Sequence, residues 1–419
     1  MAYEGSKLEY TAAVDSAALK DEAKLSVSAD GVAVTTLFNP VFIAFADIVS
    51  FERRDFAVVV ATDSDRFTFD RLGNLLDAFY LELYGAFNAK VRKALFVKGD
   101  PGFRTEGEFD YAEAGVEAQG RAAIEVYDDC VLLLPPDDRA RRIPFAFMNG
   151  LRKGDFELTL TLDGGERYSF LRLGSNTDAF EACVKDKLYR FRENAIAAAR
   201  ALDAGLDLAQ LSAIAGRMPE GVAAPMGFLT ETAPSFAAAL EAKIGESRAA
   251  DTYAAFKGIC DPAEICAGMK TGLAGEQADN VLWFIAPSKT KPAAAVEFAT
   301  DEDTAAATFV YGIPGTPDIA DMANTPDISG MPDTQNIPGN VSASRELFIR
   351  QLNRALEAID FHREVISLPV ELLKRTENGD YYMAVKRTAA LRFARENLTG
   401  RVIHSSPEAW AEGIRRYLE

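Results

Sequence analysis

The stretch Arg71-Leu72-Gly73-Asn74-Leu75-Leu76-Asp77-Ala78-Phe79 returns, at an offset of 101 residues, as Arg172-Leu173-Gly174-Ser175-Asn176-Thr177-Asp178-Ala179-Phe180. Each occurrence closes a run of alternating apolar and polar residues and opens a segment whose apolar residues recur every three or four positions. A change of period from two to about 3.6 marks a strand handing over to an amphipathic helix. A chain that does this twice with the same residues is constrained to fold two copies of one unit.

The correspondence runs back through the preceding sequence. Ile43, Phe45, Ala46, Asp55, Phe56 and Asp63 match Ile143, Phe145, Ala146, Asp155, Phe156 and Asp163 at an offset of 100, and from Arg66 and Arg167 onward the offset is 101. The added residue falls at Gly164-Gly165, in an expected hairpin turn, where an insertion leaves strand register untouched. The first copy reads as strands at 7–12, 24–28, 32–35, 42–51, 56–60 and 66–69, with Asp30-Gly31 as a hairpin turn. Leu76, Phe79, Tyr80, Leu83, Phe87 and Val91 then share one helical face. The second copy reads as strands at 108–111, 123–126, 131–134, 156–160 and 167–170, followed by a stripe of Phe180, Val184, Leu188 and Phe191.

An antiparallel sheet of six or seven strands followed by one capping helix resembles the pleckstrin-homology-like (PH-like) superfold, over residues 1–98 and 104–200. The pair also resembles tandem PH-like modules that bind other proteins. The resemblance implies a binding module for lipid, peptide or protein, and the fold alone does not choose among them.

Beyond the repeat, residues 201–275 read as a helical linker region, with Asp261-Pro262-Ala263-Glu264 as a helix start. Residues 276–372 read as a third α+β domain, a shortened relative of the same unit, with strands at 281–285, 295–298 and 308–311 and a helix carrying Phe348, Leu352, Leu356 and Ile359. Within it, the Pro-, Asp- and Gly-rich run 312–342 is expected to be a mobile acidic loop, since no Lys or Arg lies between Lys291 and Arg345. Residues 373–419 read as C-terminal helices, the last of them capped at Ser406-Pro407 and pinned by Trp410 and Ile414. The fold class expected is α+β.

Charge and motifs narrow the function. A formal net charge of -18 over 419 residues argues against nucleic acid and disfavours anionic lipid. The start, Met1 to Lys7, lacks a basic and apolar leader, and no run approaches the roughly 20 apolar residues of a membrane helix, so a cytoplasmic protein is expected. Cys130, Cys183, Cys260 and Cys266 are too scattered for a disulfide framework and are expected to be reduced. His362 and His404 lack partners at metal-ligand spacing, Gly268-Met269-Lys270-Thr271 fails as a P-loop, and Asp301-Glu302-Asp303 lacks the rest of a calcium loop. No catalytic residue, metal or cofactor is expected.

Asp77 and Asp178 each stand three residues after a capping residue, Asn74 or Ser175, and are expected to serve the helix N-termini. The basic bends Arg53-Arg54 and Arg152-Lys153 occupy equivalent places in the two copies. Two adjacent cations can clamp an anion on an acidic peptide or head group, and they also suit a solvated turn. They are the first candidates for a contact surface. The expected function is a non-enzymatic scaffold that binds a protein partner through tandem PH-like units. The alternative is a sensor of a membrane surface or lipid head group.

Overall fold

A computed structural model describes residues 9–270, 281–299, 307–314 and 338–419, with only the backbone of 281, 299 and 338–344. The chain is mixed α+β and its sheets are antiparallel. It divides into two units, residues 1–187 with 368–389 and residues 188–367 with 390–419.

In the first unit the alternating segments of the first copy become β1 (Tyr10–Asp15), β2 (Lys20–Val27), β3 (Gly31–Thr35), β4 (Val41–Ala44), β5 (Ile48–Arg54), β6 (Ala57–Thr62) and β7 (Arg66–Asp70), followed by α1 (Leu76–Ala94). The second copy supplies β8 (Phe103–Glu113), β9 (Val116–Val126), β10 (Cys130–Leu134), β11 (Arg141–Pro144), β12 (Met148–Lys153), β13 (Glu157–Leu162) and β14 (Arg167–Leu171), then α2 (Thr177–Leu202), whose residues from 188 onward belong to the second unit. The sheets have one strand order, β4-β3-β2-β1-β7-β6-β5 and β11-β10-β9-β8-β14-β13-β12. In each, the first strand pairs with both the second and the last, leaving the fourth and fifth as edges.

The equivalence reaches single hydrogen bonds. Phe45 N–H donates to Asp30 O at 2.9 Å and Phe145 N–H to Asp129 O at 2.8 Å, each entering a short 3-10 turn. Both fifth strands carry a bulge, between Ile48 and Ser50 and between Met148 and Gly150. The hairpins after the sixth strands differ by one residue. Thr62 N–H closes onto Asp65 O at 2.8 Å, whereas Leu162 N–H closes onto Glu166 O at 3.0 Å with Gly165 at φ +89°. The inserted residue thus sits in the turn, where a left-handed glycine accommodates it.

The strand-to-helix corner is also repeated. Arg71 and Gly73 have φ of 61° and 56°, Arg172 and Gly174 of 54° and 59°. This backbone puts a 3-10 turn, Gly73–Leu75 or Gly174–Asn176, ahead of each helix. Leu75 N–H donates to Leu72 O, and Asn176 N–H to Leu173 O. Beyond the corner, Phe79, Leu83, Phe87 and Val91 of α1 are fully buried over the first sheet, with Phe79 edge-on to Tyr10 and Phe69 at 5.1 and 5.7 Å.

In the second unit, α3 (Leu208–Arg217), β15 (Ala224–Pro225), α4 (Met226–Thr232), α5 (Pro234–Gly245), α6 (Ala250–Ile259), β16 (Cys266–Lys270), β17 (Val281–Pro287), β18 (Ala293–Ala299), β19 (Ala307–Gly312), α7 (Pro338–Ala358), α8 (Ala389–Asn397), β20 (Leu398–Ile403) and α9 (Pro407–Leu418) follow in turn. The six strands lie in sequence order. One face packs Phe284 against Tyr253 and Phe256, with Trp410 edge-on to Phe256, and the other packs Trp283 and Phe298 against Phe361.

Three expectations meet a different arrangement here. The segment 276–372 does not share the strand order of the two copies, because β15, β16 and β20 come from outside it. The regions read as helical, 201–275 and 373–419, each contribute strands as well as helices. Asp261-Pro262-Ala263-Glu264 makes one turn, with Glu264 N–H on Asp261 O at 3.0 Å, and the chain then enters β16 instead of a helix. The last helix starts as expected, with Ala409 N–H donating to Ser406 Oγ at 3.2 Å and Trp410 and Ile414 buried. The expectations for Asp301-Glu302-Asp303 and for 315–337 of the acidic loop lie outside the described residues.

The corner glycines give a test. A Cβ on Gly73 or Gly174 meets nothing within 4 Å, so the only penalty is the left-handed backbone. Gly73→Ala and Gly174→Ala should each cost about 1 kcal/mol in urea unfolding, and the Asn variants less. Equal stability of Ala variant and parent would show that the corner is not strained.

Candidate functional site

Three of the four basic candidates are held by carboxylates of their own copy. Arg53 Nε lies 2.9 Å from Asp77, Arg54 Nη2 lies 2.6 Å from Glu52, and Lys153 Nζ lies 2.7 Å from Asp178 and 2.8 Å from Glu181. Those carboxylates raise the Lys153 pKa, Asp178 most of all. Arg152 is exposed and has no ion pair among the described residues. Arg53–Asp77 and Lys153–Asp178 are equivalent pairs, each tying the fifth strand to the first turn of the helix. Asp77 and Asp178 stand in the first turn of their helices, as expected, and each adds an ion pair to the fifth strand. The 3-10 turns ahead of the helices place Leu75, not Asn74, at the α1 boundary with no side-chain cap, and each aspartate reaches across to a cation.

The copies meet at a joint in which a loop of the second pairs with a sheet edge of the first. Phe51 N–H on β5 donates to Pro136 O at 2.9 Å, and Asp138 N–H donates to Val49 O at 2.9 Å, around an antiparallel bridge between Ser50 and Asp137. An edge strand turns alternate N–H and C=O groups outward, and the 135–140 loop satisfies two of them. Within the loop, Asp137 Oδ1 accepts from Arg139 N–H at 2.8 Å, so the turn is preformed.

Side chains extend this joint along α1. The Tyr84 hydroxyl donates to Leu134 O at 2.6 Å and accepts from Ala123 N–H at 3.1 Å. Arg92 Nε and Nη2 each donate to the Glu125 carboxylate at 2.8 Å, and Tyr127 donates to it at 2.7 Å. Burial alone would push the Glu125 carboxyl up, but the Arg92 and Tyr127 hydrogen bonds and the Arg92 and Arg104 charges outweigh it and hold it below the usual range. Tyr127, Cys130, Leu132, Leu134 and Ala140 join the core of the first copy. The run Cys130-Val131-Leu132-Leu133-Leu134 is buried at every position, where the equivalent β3 ends in an exposed threonine. A continuous apolar run is the mark of a strand covered on both faces. It was the one sequence signal for this contact.

The tail returns to the same place. The helix Gly379–Arg387 sets Asp380 against Lys90 and Lys93 at 2.5 and 2.7 Å, and Lys386 against Asp63 at 2.5 Å. Arg387 is 1% exposed with its guanidinium 5.6 Å from the Phe87 ring centroid. Burial lowers its pKa to about 10, against the charges of Asp138, Asp137 and Asp63.

In the second unit a polar cluster around Glu297 is structural in form. Buried Glu297 accepts from the Thr308 hydroxyl and lies 3.0 Å from His404 Nε2, while Trp410 Nε1 donates to Thr308 Oγ1 at 2.7 Å. These bonds fasten β18 and β19 to α9 and account for His404. Burial pushes the Cys260 and Cys266 thiols up to about 12, which suppresses the reactive thiolate. A cavity of about 320 Å³ lined by Ala195, Ala198, Ile214, Met218, Phe236 and Met269 is mostly apolar. Among the described residues, no three His, Cys, Asp or Glu side chains could hold a metal ion, and no helix is long and apolar enough to cross a membrane. No protein-family model matches the chain, and no curated protein matches it.

The joint yields a pH prediction. A carboxyl whose folded pKa is lowered contributes fully above the ordinary glutamate range, near pH 4, and its contribution disappears as pH falls through the lowered value. Amide exchange at Ala123 and Phe51 should therefore accelerate as pH drops below about 4, after correction for intrinsic rates. Glu125→Ala should bring that loosening to neutral pH and cost about 3 kcal/mol, since it leaves Arg92 without its carboxylate. Tyr84→Phe should cost about 1–2 kcal/mol. Unchanged protection in both variants would place the joint's stability elsewhere.

Proposed function

We propose that this chain is a non-enzymatic interaction scaffold whose first unit is a pair of PH-like modules, and that it takes up partners by pairing their backbone with an exposed sheet edge. The observation that carries the reading is the state of β12. It holds the same place in its sheet as β5, with the same bulge and the same pairing of Leu151 to Leu160 as of Phe51 to Val60. Leu151 N–H and Asn149 C=O, the counterparts of the two β5 groups that bind the loop, have no backbone partner among the described residues. An edge of this kind recruits an extended segment by strand addition, with main-chain hydrogen bonds supplying affinity. The resemblance of sheet-plus-helix order to the PH-like superfold supports a binding role, as does the duplication, which places two modules on one chain.

A second reading has its own observation. Phe56 and Phe156 stand 83% and 86% exposed at equivalent hairpin tips, next to Arg53-Arg54 and Arg152-Lys153. An apolar tip flanked by cations suits the interface of an anionic membrane.

The two readings separate in one experiment. Proline at Leu151 removes an outward N–H from an edge strand without taking a bond from the β12–β13 ladder. Proximity cross-linking of protein partners to β12 should be abolished in Leu151→Pro and unchanged in Phe56→Ser/Phe156→Ser. Flotation with anionic vesicles at low salt, lost in Phe56→Ser/Phe156→Ser and kept in Leu151→Pro, would replace the scaffold reading by the membrane one.

A further inference from the structure

We infer that the partner taken up by the β12 edge is a second copy of this chain, docked through its Thr36–Pro40 loop, so that the protein assembles head to tail. The inference rests on the scaffold reading and names its partner. The internal joint has two halves, a loop between the third and fourth strands and the outer edge of the fifth. Copy two contributes its loop, 135–140, and copy one contributes its edge, β5. Each copy therefore has one half left over. Copy one retains the loop Thr36–Pro40, and copy two retains the edge β12.

Both leftovers carry the marks of an interface half. The 135–140 loop is buried or half-buried throughout, whereas Leu37 and Phe38 at the equivalent place are 88% and 84% exposed. Nearby Phe42 is 50% exposed. Two large apolar side chains side by side in water are costly unless something covers them. The loop is preformed as well, since Asn39 N–H donates to Thr36 Oγ1 at 2.9 Å and Thr36 Oγ1 donates to Asn39 O at 3.0 Å. On the other side, Phe51 is 1% exposed, and its counterpart Leu151 is only half-buried.

A contact between unlike halves is heterologous, and repeating it yields a ring or an open filament rather than a two-fold dimer. The chain-to-chain version is the weaker one. Glu181, which pairs with both Lys153 and Lys185, and Lys185 replace Tyr80 and Tyr84, so the tyrosine bonds to Leu134 and Ala123 have no counterpart. The internal joint also benefits from covalent linkage, whereas assembly between chains depends on concentration.

Sedimentation of the purified full-length chain tests this directly. Wild type should show an average mass that rises with concentration up to about 1 mM. Leu37→Asp/Phe38→Asp, which lacks the loop half, and Leu151→Pro, which lacks the edge half, should each remain monomeric. Mixed together they should form a 1:1 dimer and stop there, since each still carries the half the other has lost. Should Leu151→Pro fail to fold, hydrogen exchange on wild type decides the matter: the Leu151 amide should gain protection with concentration, and should not in Leu37→Asp/Phe38→Asp. A wild type that stays monomeric, or variants that both still assemble, would overturn the inference. A monomeric wild type whose β12 still cross-links to a different protein would overturn it while leaving the scaffold reading in place.

Discussion

A β-sheet edge that ends in water leaves a row of unpaired N–H and C=O groups, and the first unit is arranged around the covering of one such edge. The loop after β10 satisfies Phe51 N–H and Val49 C=O, and this brings β9 and β10 down onto the outer side of α1. The helix is then packed on two sides, by its own sheet below and by the second copy above. Tyr84, Arg92 and Glu125 follow from that position, because polar groups enclosed between two modules need partners supplied by the other one.

Duplication explains why the two copies, though alike in topology, cannot stay alike in side chains. Copy one has to present an apolar edge and a helix that reads the second copy's backbone, so Phe51, Tyr80 and Tyr84 stand where copy two has Leu151, Glu181 and Lys185. Copy two has to be apolar on both faces of β10, so Cys130 to Leu134 has no solvent-facing residue. What both copies keep is local. The left-handed Arg and Gly at the corner, the bulge in the fifth strand and the aspartate bound to a cation of that strand are needed inside each module, whatever lies next to it. The basic bends are accordingly part of the module's own construction before they are anything else.

Much of this was legible in the residues. The repeat, the added residue in the hairpin at Gly164-Gly165 and the helical stripe from Leu76 to Val91 follow from residue matching and periodicity, which reports the environment of each face. Asp77 and Asp178 were legible as first-turn carboxylates, but Asn74 and Ser175 fall inside a 3-10 turn between the corner and the helix, and a turn of that kind is not visible in residue spacing. The strand order of the second unit was equally hidden. Its strands β15, β16 and β20 are short or flanked by helical sequence, and their pairing joins segments far apart in the chain.

By itself the sequence determined that the chain contains one module twice, and that each copy passes from strands to a helix at the same corner, because these are properties of local period and turn chemistry. Only the tertiary structure decided which copy lends its loop and which its edge, that Asp77 and Asp178 bind cations of the fifth strand, and that one loop and one edge are left uncovered among the described residues. Those are pairings between residues distant in the chain, and long-range register is set by which surfaces can be buried together, a quantity that no stretch of residues carries alone.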